Sequence, residues 1–475
     1  MARGLALAAW LLALWGAAAA AYLGQPPSTV ALCVAAAFVP YGWLVAVEAR
    51  LEVGVLMCLV LAAGLPMLVA PVALSDDVYR YLWDARVLRA GIDPYLYAPA
   101  DPSLAFLRDA LWREVNHPEV PTIYPPVAQG LFVVADVLGH APWSPRLLML
   151  AAHLGLVPLL ASRAPGWATG AWALNPLALE ESALGGHLDV LVGGALLAGA
   201  LALEVRRPAR AVLALLVASG LKLVGVVLAP LLGRERRLLA FGALALVALP
   251  VWPLLGAGAG SGTVGGLGQY ARRWRGNAGL YAGVEELFAA ALGGADGAAS
   301  GRVRLDSLRP VFEALADTPF DPRASFLPEK KPIADVAEFE VHVLAAVLAR
   351  ASIALALLGL AFGLAFARVA PLTAARALLW ATLLLAPQVH PWYLLWLLPI
   401  ELAVGRVSGL VWSAAILVAY APLDGWVARR EWQEAGQGLQ YVLVLVALLG
   451  ETWLLRRLPR EAPGAPPEAA APASS

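Results

Sequence analysis

Long apolar runs separated by short polar links set the pattern of this chain. The runs 5–23, 29–47 and 52–74 approach or exceed the ~20 residues that a helix needs to cross a bilayer. They predict three spans in an N-terminal block, 1–74. A polar stretch covers 75–126, after which apolar runs resume at 127–139, 147–162, 167–183, 187–205, 211–232 and 238–257. Several of these are short for a clean crossing. The block 127–257 is therefore expected to hold broken or re-entrant helices, which are tolerated where they line a cavity. A second polar region, 258–342, precedes a C-terminal block, 343–457, with runs at 343–367, 372–388, 391–405, 407–423 and 438–455. The predicted fold class is an all-α polytopic membrane protein of roughly 11–13 transmembrane helices. The Pro- and Ala-rich tail, 458–475, is predicted to be disordered.

Charge in the links orients the pattern. The link Glu48–Glu52 is charged, whereas Gln25–Ser28 carries no charge. By the positive-inside rule the former is cytoplasmic, which puts 75–126 on the outer face; 258–342 is also expected outside, and the tail in the cytoplasm. Arginines at 206–210 and 234–237 both ask for the cytoplasm. Both can have it only if the run 211–232 breaks near Ser219-Gly220 and returns to the same side. The first 24 residues have the make-up of a signal peptide, but further spans follow at once and a retained first helix is the simpler reading.

Within 75–126, Ser75 is a candidate N-cap for a helix over DVYRYLWDARVLRA, which Gly91 stops and Asp93-Pro94 turns. A second short helix is expected over 103–114, then an extended, proline-stiffened return, NHPEVPTIYPP. This reads as a structured loop.

Composition sharpens the class. The chain is 60% hydrophobic and 14% charged, against about 25% charged for soluble domains, and its mean hydropathy is +0.72. Lys+Arg and Asp+Glu are equal at 34, which gives no sign of a nucleic-acid partner. Cys33 and Cys58 sit in apolar runs and build neither a disulfide framework nor a zinc site. Alanine-rich usage fits a bacterial chain. There is no P-loop, no GxGxxG between strand and helix, no HExxH and no thiol cluster. An energised donor then has to come from the membrane itself.

Several residues can carry chemistry. Asp76 and Asp77 open the loop helix; one of them can act as general base in a partly dehydrated cleft, or both can simply complement the helix dipole. Asp77, Arg80, Tyr81 and Asp84 share one helix face by spacing, either as a sugar–phosphate site or as a solvated salt-bridged face. Glu180, Glu181, His187 and Asp189 lie in an apolar region, where ionisable groups are functional candidates by default. Lys222, at the suspected break, can neutralise a lipid phosphate or snorkel. In LLLAPQVHPWYLLWLLP, Gln388, His390, Trp392, Tyr393 and Trp396 form either an acceptor or phosphate site or an interfacial belt. Arg272, Arg273 and Arg275 with Trp274 make a basic patch suited to phosphate.

At these residues the chain resembles the GT-C superfamily of integral-membrane glycosyltransferases, and is most similar to its bacterial polyprenyl-phosphate-mannose-dependent branch. The matching pieces are SDDVYRYLWDARV, GIDPYLYAP, NHPEVPTIYPPVAQ, NPLALEESALGGHLD, the LK…LAP segment and HPWYLLWLLP, in order through about 75–400. Ala85 stands where glycine is usual after WD, and Leu188 where asparagine is usual in the GH motif. The stretch 296–341 matches nothing in the family pattern.

The resemblance implies a GT-C-like bundle with an extracytoplasmic active site, a polyprenyl-phosphate sugar donor, inverting transfer to a glycan or lipid acceptor, and no cofactor. The Asp pair could still hold a divalent ion. It makes Asp77 or Asp76 the base, with substrate contacts expected from Arg80, Tyr81, Asp84, Arg86, His187, Asp189, Lys222, Arg272, His390, Trp392 and Tyr393. The expected place is the cytoplasmic membrane of a bacterium. Two rival readings remain: a lipid-linked-oligosaccharide ligase or polymerase, and a polytopic transporter. The second is disfavoured by the lack of a convincing internal repeat.

Overall fold

The computed structural model describes residues 1–234, 275–293, 302–304, 310, 338–429, 431 and 436–457. Six of its helices are long and apolar enough to cross a bilayer: Ala2–Tyr22, Pro27–Ala46, Trp143–Ala161, Leu344–Phe366, Ser408–Arg429 and Gln437–Leu455. Shorter apolar helices, among them Val53–Val69, Pro208–Leu221 and Pro371–Leu384, stand between them. The chain is an all-α polytopic membrane protein. One departure from all-α lies inside the second polar region, where Arg302–Arg304 pairs antiparallel with Glu338–Glu340. Hydropathy carries no signal for so short a strand pair, and most of 296–341 lies outside the described residues.

The first three helices, α1 (Ala2–Tyr22), α2 (Pro27–Ala46) and α3 (Val53–Val69), follow the three N-terminal apolar runs closely. Then comes α4 (Asp77–Arg89), which joins two cores. Val78, Tyr81 and Ala85, at helical spacing, face the main bundle, while Trp83 and Val87 meet Leu104 and Val115 in a small core within the loop. This second core is why the polar stretch folds. The expected second helix is two 3-10 turns, Pro102–Leu107 and Leu111–Glu114. Ser75 is not the N-cap; Asp76 holds that position, and the Ser75 hydroxyl accepts from the Asp77 amide at 3.3 Å and meets His187.

Next, α5 (Pro126–Leu138) packs against α4. Tyr81 stacks on Phe132 at 4.3 Å, Gln129 donates to Asp84 at 3.2 Å, and Arg89 pairs with Asp136. His140 bridges Asp136 and Asp109, so the far end of the loop is clamped to the end of α5. The chain then descends through α6 (Trp143–Ala161) and returns by α7 (Gly166–Ala173) and α8 (Pro176–Glu180). Asn175 caps α8 by accepting from the Ala178 amide, with Pro176 following it at the first helical position. A π-helical turn, Glu181–Gly185, ends this ascent.

Two more helices, α9 (Asp189–Glu204) and α10 (Pro208–Leu221), form the next hairpin. The break expected near Ser219-Gly220 falls at Lys222, which is extended and is followed by a 3-10 segment, Leu223–Arg234. Residues 235–237, whose side of the membrane motivated that break, lie outside the described residues.

The arginine-rich links gather at one end of the bundle. Arg50 lies against Gly166, Pro165 against Gly405, the Leu372 amide donates to Glu204, and the Val407 amide to Glu451. Arg376 makes a two-toothed contact with the buried Glu401 there, at 2.6 and 3.1 Å. The 75–126 loop occupies the opposite end.

Candidate active site

The acids stand at the start of α4, which the chain reaches from the end of α3 at Val69 through an extended stretch that begins at Ala70. There Asn116 Nδ2 bridges both carboxylates, 2.6 Å from Asp76 and 3.1 Å from Asp77. Tyr124 donates to the other oxygen of Asp77 at 3.2 Å. Burial first, and the Asp77 carboxylate second, push the Tyr124 phenol well above the ordinary tyrosine range. Tyr124 is thus held as a donor to Asp77. The proline-stiffened return supplies both partners, and it is itself pinned where Tyr95 donates to the Tyr124 carbonyl and the Thr122 amide to the Pro94 carbonyl.

The inner wall comes from the turn after α8. His187 Nε2 lies 3.0 Å from Ser75 Oγ and 3.9 Å from Asp77 Oδ2. Its Nδ1 approaches Glu181 Oε2 at 2.7 Å, with an angle poor for a hydrogen bond. This closeness explains the glycine pair. A Cβ on Gly185 would meet His187 Nδ1 at 2.6 Å and Glu181 Oε2 at 3.0 Å, and Gly186 has φ +73°, a region open mainly to glycine.

From His187 an aromatic ladder leads away. Trp392 stacks between His187 (3.9 Å) and His390 (4.3 Å), and Tyr393 stacks on Trp396 at 4.3 Å. Gln388 fixes His390 through an Nε2–Nε2 contact of 2.5 Å. At the ladder's end Lys222 Nζ makes contacts of 2.9 and 2.8 Å to the fully buried Asp189, whose Oδ1 also accepts from Trp396 Nε1 at 2.6 Å. Lys222 Nζ also sits over the Tyr393 ring at 4.9 Å.

Asp76, Asp77, His187, Asp189, Lys222, His390, Trp392 and Tyr393 thus come together from four distant segments. His390 counts Asp77, Lys222 and His187 among its electrostatic neighbours. Arg80, Tyr81, Asp84 and Arg86 do not line this cleft. Arg80 is 6% exposed, its guanidinium held by Asp84 and the Val120 carbonyl at 2.9 Å each. Tyr81 is buried beside Phe132 and Tyr124. Arg86 pairs with Asp109 at the far side of the loop. Helical spacing puts such residues on neighbouring positions, but the two cores on either side of α4 decide which of them point into the cleft. Arg272, Arg273 and Trp274 lie outside the described residues, while Arg275 is paired with Glu285.

Asn116, Tyr124 and Arg146 are absent from the residues singled out by sequence. The first two lie in the motif NHPEVPTIYPPVAQ and in a stretch stiff enough to be aimed. Arg146 is fully buried, with Nε and Nη2 unpaired among the described residues. It is the cation in electrostatic reach of the buried Glu180, whose two oxygens are likewise unpaired there.

Residues 4–235 match the family model described as alpha-(1->6)-mannopyranosyltransferase, N-terminal domain. The N-terminal half of this chain is a relative of those enzymes. It is 33% identical over 152 residues to an alpha-(1->6)-mannopyranosyltransferase of Mycobacterium tuberculosis, covering 28% of this chain and 25% of that one. It is 31% identical over 224 residues to alpha-(1->6)-mannopyranosyltransferase A of the same organism, covering 42% and 43% respectively. A probable alpha-(1->6)-mannopyranosyltransferase of Mycolicibacterium smegmatis is 32% identical over 147 residues, covering 28% and 26%. The matched segments therefore span a quarter to less than half of the relatives' own lengths. No solved structure matches the chain significantly. The resemblance to GT-C mannosyltransferases drawn from the motifs is borne out over this segment, which contains every cleft residue up to Lys222.

Proposed function

We propose that this protein transfers a hexose, mannose favoured, from a polyprenyl-phosphate-linked donor to a glycan or lipid acceptor, with inversion, on the outer face of the cytoplasmic membrane. The observation that carries the reading is the setting of Asp77. Its carboxylate is 20% exposed at the cleft mouth, and its orientation is fixed by donors from Asn116 and Tyr124. That is how a general base is held, since proton transfer depends on geometry before acidity.

The reaction is a single displacement. The acceptor oxygen attacks the anomeric carbon while Asp77 takes its proton, and the bond from that carbon to the phosphate oxygen breaks, its electron pair leaving with the polyprenyl phosphate. Lys222 is the cation at the cleft's inner end and would meet that developing charge. His390 and Trp392 offer a stacked surface for the sugar. Support for mannose comes from the matched relatives, whose names state alpha-(1->6)-mannopyranosyl transfer. Support for the outer face comes from the gathering of arginine-bearing links at the other end, which the positive-inside rule assigns to the cytoplasm.

The test is a membrane assay with radiolabelled polyprenyl-phosphate mannose, comparing the wild type with Asp77→Asn. Transfer by the wild type and none by the variant is expected. Equal transfer by both would remove Asp77 from the mechanism, and no transfer by the wild type would remove this donor.

A further inference from the structure

At the arginine-rich end, away from Asp77, α6, α9 and α10 border an open groove of about 440 Å³. That is a ligand-sized volume. Its floor is one face of α9, formed by Ala198, Ala202 and Val205 at helical spacing. One wall is Leu159 of α6 with Arg163 just past that helix's end; the other is Arg210 and Ala214 of α10, one turn apart. Arg207, in the link between α9 and α10, closes the rim. The groove therefore has an apolar trough and a cationic mouth.

We infer that this groove binds an anionic diacyl phospholipid, its phosphate held by Arg163, Arg207 and Arg210 and an acyl chain laid along α9. Two observations select the occupant. First, Val205 in the groove's floor is 52% exposed and Leu213, next in the chain to the lining Ala214, is 63% exposed, so in a membrane these apolar side chains meet lipid. Second, none of the three guanidiniums has a hydrogen-bond or ion-pair partner among the described residues. The nearest acid along the chain, Glu204, is turned to the far side, where it accepts from the Leu372 amide. Three unneutralised guanidiniums over an apolar trough select a lipid with a net negative headgroup over a zwitterionic one, and arginine suits phosphate by its planar fork. The site needs neither the sugar donor nor the Asp77 chemistry.

The test is native mass spectrometry of the detergent-purified whole protein, incubated in turn with phosphatidylglycerol, phosphatidylcholine and undecaprenyl phosphate. Retained phosphatidylglycerol and little phosphatidylcholine are expected. The triple variant R163A/R207A/R210A should retain phosphatidylglycerol about a hundredfold less well. Ala198→Trp, which fills the trough and leaves all three charges, should lose it too. Arg206→Ala, at an exposed residue that does not line the groove, should not. Equal retention of phosphatidylcholine, or of phosphatidylglycerol by the triple variant or by Ala198→Trp, would overturn the proposal. So would displacement of phosphatidylglycerol by undecaprenyl phosphate, which would make the groove an isoprenoid site.

Discussion

Nε2 of His187 lies 3.9 Å from Oδ2 of Asp77, so the 75–126 loop and the segment that follows the π-helical turn meet at one carboxylate. The same histidine ring is stacked on Trp392. One imidazole therefore ties the loop acid to the C-terminal motif, and movement of either segment is felt at Asp77.

Three side chains converge on Asp77. Asp77 touches Asn116, Tyr124 and the His187 ring, and Asn116 bonds Asp76 as well. Asp77→Asn is expected to lower transfer by about 10²–10⁴-fold, the usual worth of a positioned base. Asp76→Asn, which keeps a group that Asn116 can bond, should cost much less. Initial rates at saturating donor would decide, and a larger loss for Asp76→Asn would reassign the base.

Tyr124 and Asn116 orient the Asp77 carboxylate. Tyr124→Phe removes one hydrogen bond to a charged group, a loss of roughly ten- to a hundredfold in rate if it is felt fully in the transition state. The effect should fall on kcat with KM nearly unchanged. A change confined to KM would instead make Tyr124 a binding residue.

The comparison of loop and bundle shows what sequence alone can say. Runs of apolar residues mark α1 to α3 because lipid demands about 20 such residues per crossing, and Gly91, with φ +77°, ends α4 where a glycine should. The joining of Asp77, His187, Lys222 and His390 is legible only as a set of motifs whose order matches a family. Their distances depend on how α9 packs against the helix Leu394–Ala403, which no local pattern encodes. Arg80 illustrates the limit: its spacing fits a cleft face, yet Asp84 and Val120 claim its guanidinium. Arg146 lies in a mostly apolar helix, and nothing around it in the chain announces that it will come within electrostatic reach of Glu180.

Lys222 and Asp189 form a pair with side chains 17% and 0% exposed. Removing one partner of such a pair leaves an uncompensated buried charge, at a cost of about 3–5 kcal/mol. Lys222→Met is therefore expected to lower the unfolding temperature in detergent, and Lys222→Met combined with Asp189→Asn to recover most of the loss. A double variant no more stable than the single one would show that the pair does not act as a unit. Activity should stay low in both if Lys222 meets the leaving phosphate.

The cleft's inner end depends on one glycine. A Cβ on Gly193 would lie 1.9 Å from the carbonyl oxygen of Leu395 and 3.0 Å from its carbon. Both are backbone atoms, so no side chain can swing aside. The helix Leu394–Ala403 would have to retreat, taking Trp396 away from Asp189 and loosening the hold on Lys222. Gly193→Ala is thus expected to cost about 1–3 kcal/mol, the usual range for overpacking, and to lower transfer as well. Gly155→Ala is the control, since nothing lies within 4 Å of the added carbon on that helical glycine; it should be neutral or stabilise by about 0.5–1 kcal/mol. Thermal unfolding of the two variants in the same detergent decides the matter. If Gly193→Ala melts with Gly155→Ala, close backbone packing is not what sets the position of Trp396.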